Sequence, residues 1–235
     1  MAFECVSRTD VGLRRKVNED SILVRTDRGL WAVADGMGGH DAGDVASAKV
    51  TDALLNLPIY YSLDELVEGA VEALKRVNRE LIASAVTSER TPGSTVVGLA
   101  VAGDQFRCFW AGDSRAYRIR DGQIVQLSRD HSLVQRLVDA GMLSPAEAEH
   151  HPNANVVTRA VGVTDELAVD IVAGDAMPGD LFLLASDGLT RMVGDAELLN
   201  ELTSNGLSEA ADRLVETVLS RGAPDNVSLV ITSVV

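Results

Sequence analysis

The sequence predicts an α+β fold in which antiparallel-rich sheets carry helices on their outer faces. Two observations carry that expectation. Along the chain the segments run strands, two helices, strands, two helices, strand, which is not the strict alternation of a doubly wound parallel sheet. In addition, "YRIRDGQIVQL" at 117–127 reads as an alternating strand, a two-residue turn and a second strand, a hairpin that pairs antiparallel. The chain has 235 residues, 46% of them hydrophobic and 24% charged, an ordinary balance for one globular domain with a substantial core. Only 4% are aromatic, so Val, Leu, Ala and Ile must build that core.

Taken in order, strand-like segments fall near 2–8, 20–26 and 30–34. Helical periodicity then runs from about 42 to 87, broken at "LPIYYS". Ser62 and Glu65 form a capping-box pattern for the second of these helices. Its apolar positions Leu66, Ala70, Val71, Leu74, Val77, Leu81 and Ile82 recur at threes and fours and mark one buried face. Strands return at 94–102, 105–111, 114–120 and 123–127, followed by a short helical region at about 132–149. There "SPAE" at 144–147 supplies an N-cap, a proline at the first helical position and an acid at the third. Residues 150–166 read as irregular, "DLFLLAS" as a buried strand, 195–204 and 208–221 as helices, and "NVSLVITSVV" as the last strand.

The formal net charge of −14 disfavours nucleic acid and anionic lipid as partners, and it requires local positive charge for any anionic substrate. Cys5 and Cys108 stand far apart in no metal-type spacing, which suits reduced thiols. No secretory pattern precedes "MAFECVSRTD", and no apolar run reaches the roughly 18–20 residues of a membrane span. A cytoplasmic location without membrane association is the expectation.

The chemistry concentrates where apolar strands meet carboxylates. "WAVADG" runs into Asp35-Gly36, "LFLLASDG" runs into Asp187-Gly188, "APDNVSLVI" sets Asp225 before a strand, and "WAGDSR" sets Asp113 in a tight turn. Acids at the ends of several central strands can converge on hard divalent cations, which take oxygen ligands. The competing reading is that Asp-Gly simply makes turns, as Asp121-Gly122 does in the polar hairpin. Asp35 and Asp187 differ because the residues before them are almost wholly apolar, and a charge there is costly unless paired or metal-bound. The glycine loop "DGMGGHDAG" has neither Walker nor dinucleotide spacing, and no DxD nucleophile motif follows an apolar strand.

Together "GLRRKVNEDS" (12–21), "VADGMGGH" (33–40), "GSTVVGLAV" (93–101), "FWAGDSRAYRI" (109–119), "LSRDHSLV" (127–134), "LLASDGLT" (183–190) and "GAPDNVSLVI" (222–231) resemble the metal-dependent protein phosphatase family, type 2C or PPM, in its compact bacterial form. They occur in family order over nearly the whole chain. The resemblance implies a four-layer α-β-β-α sandwich of two mainly antiparallel sheets flanked by helices. It implies one catalytic domain over 1–235, with a flap at about 132–160 beside the active site. It also implies hydrolysis of phosphoserine and phosphothreonine in proteins at a centre of two Mn²⁺ or Mg²⁺ ions, opposing a bacterial Ser/Thr kinase, by a monomer. The alternative is a pseudo-phosphatase of the same fold that binds phosphoproteins without turnover.

Two ions about 3.5–4 Å apart neutralise a phosphate and acidify a bridging water. By family match, Asp35 bridges the ions, Asp187 and Asp225 hold one, and the Gly36 carbonyl holds the other. Asp113 with Asp187 holds a weaker third. Arg15 matches the phosphate-binding arginine, with Arg14 as rival, and its guanidinium fork suits phosphate oxygens. Asp20 matches an acid that orients metal-bound water. Gly38 and Gly39 let the loop after Gly36 turn sharply. His40 is the candidate general acid. It stands three residues later than the histidine of "DGHGG" loops, because Met37 takes that place, and the open alternative is a loop-packing histidine. His131, His150 and His151 match no compact zinc spacing and read as surface or hydrogen-bonded residues.

Overall fold

The computed structural model describes residues 2–38, 42–87 and 92–235. The chain begins with β1 (Phe3–Asp10), β2 (Asp20–Arg25) and β3 (Leu30–Met37), followed by α1 (Gly43–Leu55) and α2 (Leu63–Thr87). A two-residue β4 (Gly93–Ser94) precedes β5 (Val96–Ala102), β6 (Gln105–Ala111), β7 (Arg115–Arg120) and β8 (Gln123–Gln126). Two short helices, α3 (Leu133–Asp139) and α4 (Pro145–Glu149), precede β9 (Asp170–Asp175) and β10 (Leu181–Ala185). The chain closes with α5 (Asp187–Thr190), α6 (Asp195–Ser204), α7 (Leu207–Ser220) and β11 (Val227–Val234).

One sheet has the order β1-β11-β10-β7-β8 and the other β2-β3-β5-β6-β9, with β4 against β3. Every pairing is antiparallel. Strand alternation sorts side chains into three apolar layers. Ala32 and Ala34 face α1 and α2, together with Val50, Leu54, Leu74 and Leu81. Leu183, Leu229 and Ile231 of the other sheet face α6 and α7, against Leu198, Leu214 and Val218. Trp31, Val33, Val97, Phe106, Phe182 and Val230 fill the space between the sheets. The result is the expected α-β-β-α sandwich.

Most elements lie where the sequence places them. The hairpin turn puts Asp121 at φ 52° and Gly122 at φ 71°, the left-handed pair that matches strand twist. At the start of α4, Ser144 and Glu147 form the full capping box behind Pro145. The box at Ser62 is displaced: Ser62 Oγ accepts from Glu65 N at 3.2 Å, but the Glu65 carboxylate accepts from Tyr61 N at 3.1 Å. The buried stripe of α2 is centred on Leu63, Val67, Ala70, Leu74, Val77 and Leu81, with Val71 and Ile82 at its edges. Three differences matter more. Strand β3 extends to Met37 instead of ending at 34, because Asp20 of β2 pairs with Asp35 and Ser94 of β4 pairs with Gly36. Residues 170–175, which sequence leaves unassigned, form an edge strand on β6. Asp187 opens a short helix rather than a turn. Among the described residues no helix is long and apolar enough to cross a membrane, and Cys5 and Cys108 are free thiols.

Candidate metal centre and active site

The site lies at one end of the layer between the sheets. On β3 the period of two puts Trp31, Val33 and Asp35 on the face toward the other sheet. Asp20, directly opposite Asp35 in the ladder, shares that face with Ile22. The apolar layer therefore ends in two carboxylates side by side. The second sheet adds Asp187 just beyond β10, Asp225 just before β11 and Asp113 between β6 and β7.

Close backbone packing holds these ends together. A Cβ on Gly36 would stand 2.1 Å from the Gly43 carbonyl and 2.6 Å from that of Glu19, so the end of β3 nests against α1 only as glycine. A Cβ on Gly188 would meet the Asn226 carbonyl at 1.8 Å, which seats α5 against the start of β11. Thr95 ties the two halves: its Oγ1 accepts from Asp35 N at 3.1 Å and lies 2.7 Å from Ser114 Oγ, beside Asp113.

The electrostatics record five acids forced close. Burial, then repulsion from Asp187, Asp20, Asp113 and Asp225, pushes the Asp35 carboxyl well above the carboxylate range. Burial raises Asp187 as well, opposed by the charge of Arg191, and a side-chain hydrogen bond joins it to Asp35. Burial raises Asp20 to about 7, opposed by the nearby Ser228 and Ser186 hydroxyls and increased by the charges of Asp187 and Asp225. Asp113 is also pushed up to about 7 by burial and by Asp187, with Arg191 opposing.

Two arginines engage this acid set. Arg15 donates to Asp225 Oδ2 at 2.8 Å, and Arg191 lies 3.1 Å from Asp113 Oδ2 and 3.0 Å from Asp187 Oδ2. With these acids so engaged, no three acidic, histidine or cysteine side chains among the described residues form a ready-made cation site. The chemistry of the set nonetheless fits hard divalent cations. It is all carboxylate, its charges are mutually destabilising, and the buried Asp20 Oδ1 has no hydrogen-bond partner. Asp20 Oδ2 accepts from Ser186 Oγ at 2.9 Å, so one oxygen is fixed and the other is left for a ligand of the centre.

The structure thus brings together Asp35, Asp20, Asp187, Asp225, Asp113, Gly36 and Arg15. Gly38 turns the chain away at φ 138°. Gly39 and His40 lie outside the described residues. The other three histidines do not meet. His131 Nδ1 accepts from Gly112 N at 3.1 Å and its Nε2 lies 3.1 Å from Asp170 Oδ2, with burial lowering its pKa. His151 Nδ1 accepts from Asn153 N, and His150 is exposed.

Sequence reasoning passed over four residues. Asn226 is buried; its Oδ1 accepts from Glu19 N at 2.8 Å and its Nδ2 donates to the carbonyls of Val11 and Val17. It thereby staples the loop that carries Arg15 and Asp20, and a polar residue at the mouth of an apolar strand was its signal. Ser186 and Thr95 were legible in the same way, as hydroxyls at the ends of buried strands. Arg191 stands one helical turn after Asp187, the spacing at which side chains meet.

Known proteins resemble the chain throughout. The family model described as Protein phosphatase 2C matches residues 8–227. The Serine/threonine protein phosphatase PstP of Mycobacterium tuberculosis is 38% identical over 238 residues, covering 100% of this chain and 46% of PstP. The chain therefore spans about half the length of that curated relative. The solved structure of PppA, described as a key regulatory component of T6SS in Pseudomonas aeruginosa, has a TM-score of 0.93 at 43% identity, covering 99% of this chain and 98% of that one. The catalytic domain of PstP solved with 2 manganese ions has a TM-score of 0.88 at 36% identity, again over 99% and 98%. A match of this extent places the chain in the protein phosphatase 2C family.

Proposed function

We propose that this chain is a metal-dependent protein serine/threonine phosphatase, a single catalytic unit that releases phosphate from phosphoserine and phosphothreonine side chains. The observation that carries the reading is the convergence of Asp20, Asp35, Asp113, Asp187 and Asp225 at one end of the intersheet layer, each buried or partly buried. The relatives' names and the manganese in the PstP structure support it.

Asp35, Asp187 and Asp225, with the Gly36 carbonyl, would hold two Mn²⁺ or Mg²⁺ ions. Such ions, when bound, supply positive charge for the phosphate and bring a coordinated water near neutral pKa. The chain's own residues do the rest. Arg15, with its side chain about half exposed beside Asp225, is free to offer its remaining N–H groups to phosphate oxygens. Asp20 Oδ1, buried without a partner, would accept a hydrogen bond from a water of the centre and orient it. His40 is proposed to protonate the leaving seryl or threonyl oxygen.

A cavity of about 750 Å³ opens beside Asp113 and Asp187, walled on its far side by Val134, Val138 and Ala148 of the 132–160 segment. That placement supports the segment as a flap that contacts the polypeptide around the phosphorylated residue. In the cell the reading is of a cytoplasmic, monomeric enzyme opposing a Ser/Thr kinase. The test is phosphate release from a phosphothreonine peptide in Mn²⁺ and after chelation, alongside Asp187→Asn. Metal-dependent turnover that collapses in the variant is expected. Mn²⁺ binding by the wild type with no release from this peptide or an aryl phosphate would favour phosphoprotein binding without turnover.

A further inference from the structure

Arg191 touches both the acid centre and the segment beside it. It caps the four-residue α5, whose first residue is Asp187, so it stands one turn below that acid whatever else the site holds. Its Nη2 lies 3.0 Å from Asp187 Oδ2 and 3.1 Å from Asp113 Oδ2. The same Nη2 approaches the Ala154 carbonyl at 3.4 Å, and Nη1 donates to Asn155 Oδ1. The side chain of Asp113 is 6% exposed and that of Asp187 is 15% exposed, so a cation between them is poorly screened.

From this geometry we infer that Arg191 is a built-in cation at the Asp113–Asp187 pair. It takes the place of a third divalent ion there and pins residues 151–156 beside the centre. The inference rests on the reading of the acids as a divalent-cation centre. A guanidinium is permanently charged and presents its donors as a planar fork, so one side chain can serve two carboxylates and a loop together. Residues 151–156 have little else to hold them. Ala154 N bonds back to His151 O and Val156 N to Asn153 O, both within the turn; among the described residues its backbone reaches outside only at its two ends, His151 N to Ala148 O and Leu133 N to Val156 O. An ion entering between Asp113 and Asp187 must displace the guanidinium and with it both loop contacts. Occupancy of the pair and position of the loop are then coupled, and each biases the other by the same free energy.

Two measurements on the full chain test this. Hydrogen exchange at the amides of Ala154 and Val156, in chelated protein, compares the wild type with Arg191→Ala and Arg191→Lys. Both variants should exchange about 10-fold faster, because neither keeps the fork. Equilibrium dialysis against Mn²⁺ compares bound ions per chain. Arg191→Ala should take up one ion more than the wild type at the same free concentration. Arg191→Lys, which keeps the charge, should not. Unchanged exchange in both variants overturns the pin. An equal, non-zero count in Arg191→Ala and wild type overturns the exclusion while leaving the centre standing. No Mn²⁺ bound by any of the proteins overturns the centre itself and the exclusion with it.

Discussion

Strand β3 carries two regions of opposite character on one face. Trp31 and Val33 are fully buried between the sheets, among Val97, Phe106 and Phe182. Two residues further along, the same face presents Asp35, crowded by Asp20 and three more acids. The first region stabilises the fold by removing apolar surface from water. The second does the reverse, since it crowds buried acids whose repulsion is opposed by Arg15, Arg191 and the Ser186 hydroxyl. The proposed site therefore sits where burial works against the charges, on a strand held by the apolar residues before it.

The sharpest way to separate the two regions is to truncate each in turn. Trp31→Ala is expected to lower unfolding free energy by about 3–5 kcal/mol, read by denaturant titration. Asp35→Asn is expected to cut Mn²⁺-dependent phosphate release by at least about 10²-fold while leaving the metal-free protein as stable as the wild type or more so. Loss of stability in Asp35→Asn comparable to that in Trp31→Ala would erase the distinction.

The acid end should also make metal-free stability depend on pH. Asp20 and Asp113 stand at about 7 in the folded chain against an ordinary 3.8, and Asp35 and Asp187 are raised as well. A carboxyl whose folded pKa is raised binds its proton more tightly when folded. Its contribution is fully present below the ordinary carboxylate range and is lost as pH rises through its folded value. Thermal unfolding in chelator should therefore fall from about pH 5 to about pH 8, with a shallower fall in Asp20→Asn. A melting temperature that rises over that window would contradict the assignment.

Smaller effects probe the supports. Asn226→Ala leaves Glu19 N, Val11 O and Val17 O without their partner and should cost about 1–3 kcal/mol, with faster exchange across 11–19. Ser186→Ala removes the hydrogen bond to Asp20 and should lower Mn²⁺ affinity by about 10-fold; it also strips the buried Ser228 N of its acceptor, so a stability loss of about 1–3 kcal/mol is expected with it.

What the sequence disclosed follows the same division. Elements with strong periodicity, such as α2 and the β7–β8 hairpin, declared themselves, and so did acids that interrupt apolar runs. Elements defined by their partners did not. Strand β9, "DIVAGD", is short, acidic at both ends and holds a glycine, and only pairing with β6 makes it a strand. The last residues of β3 look like a glycine loop because their pairing depends on a two-residue strand some 60 positions away, so Asp35 lies within a strand and not after one. Gly36 shows the same dependence on partners, since its packing against Gly43 and Glu19 already requires a glycine there. Asn226 stands out as a polar residue at a strand mouth and Arg191 pairs with Asp187 at i,i+4, but their other partners, Glu19 for Asn226 and Asp113 and Asn155 for Arg191, are far off in sequence and no local pattern reveals them.

The most direct test of the acid end as a divalent-cation centre is the melting temperature near neutral pH, with and without Mn²⁺, of the wild type and Asp35→Asn. Mn²⁺ should raise the wild-type midpoint by several degrees, since an ion bound only by the folded state stabilises it by mass action, and should leave the variant nearly unmoved. Equal shifts in the two proteins, or none in the wild type, would contradict the account.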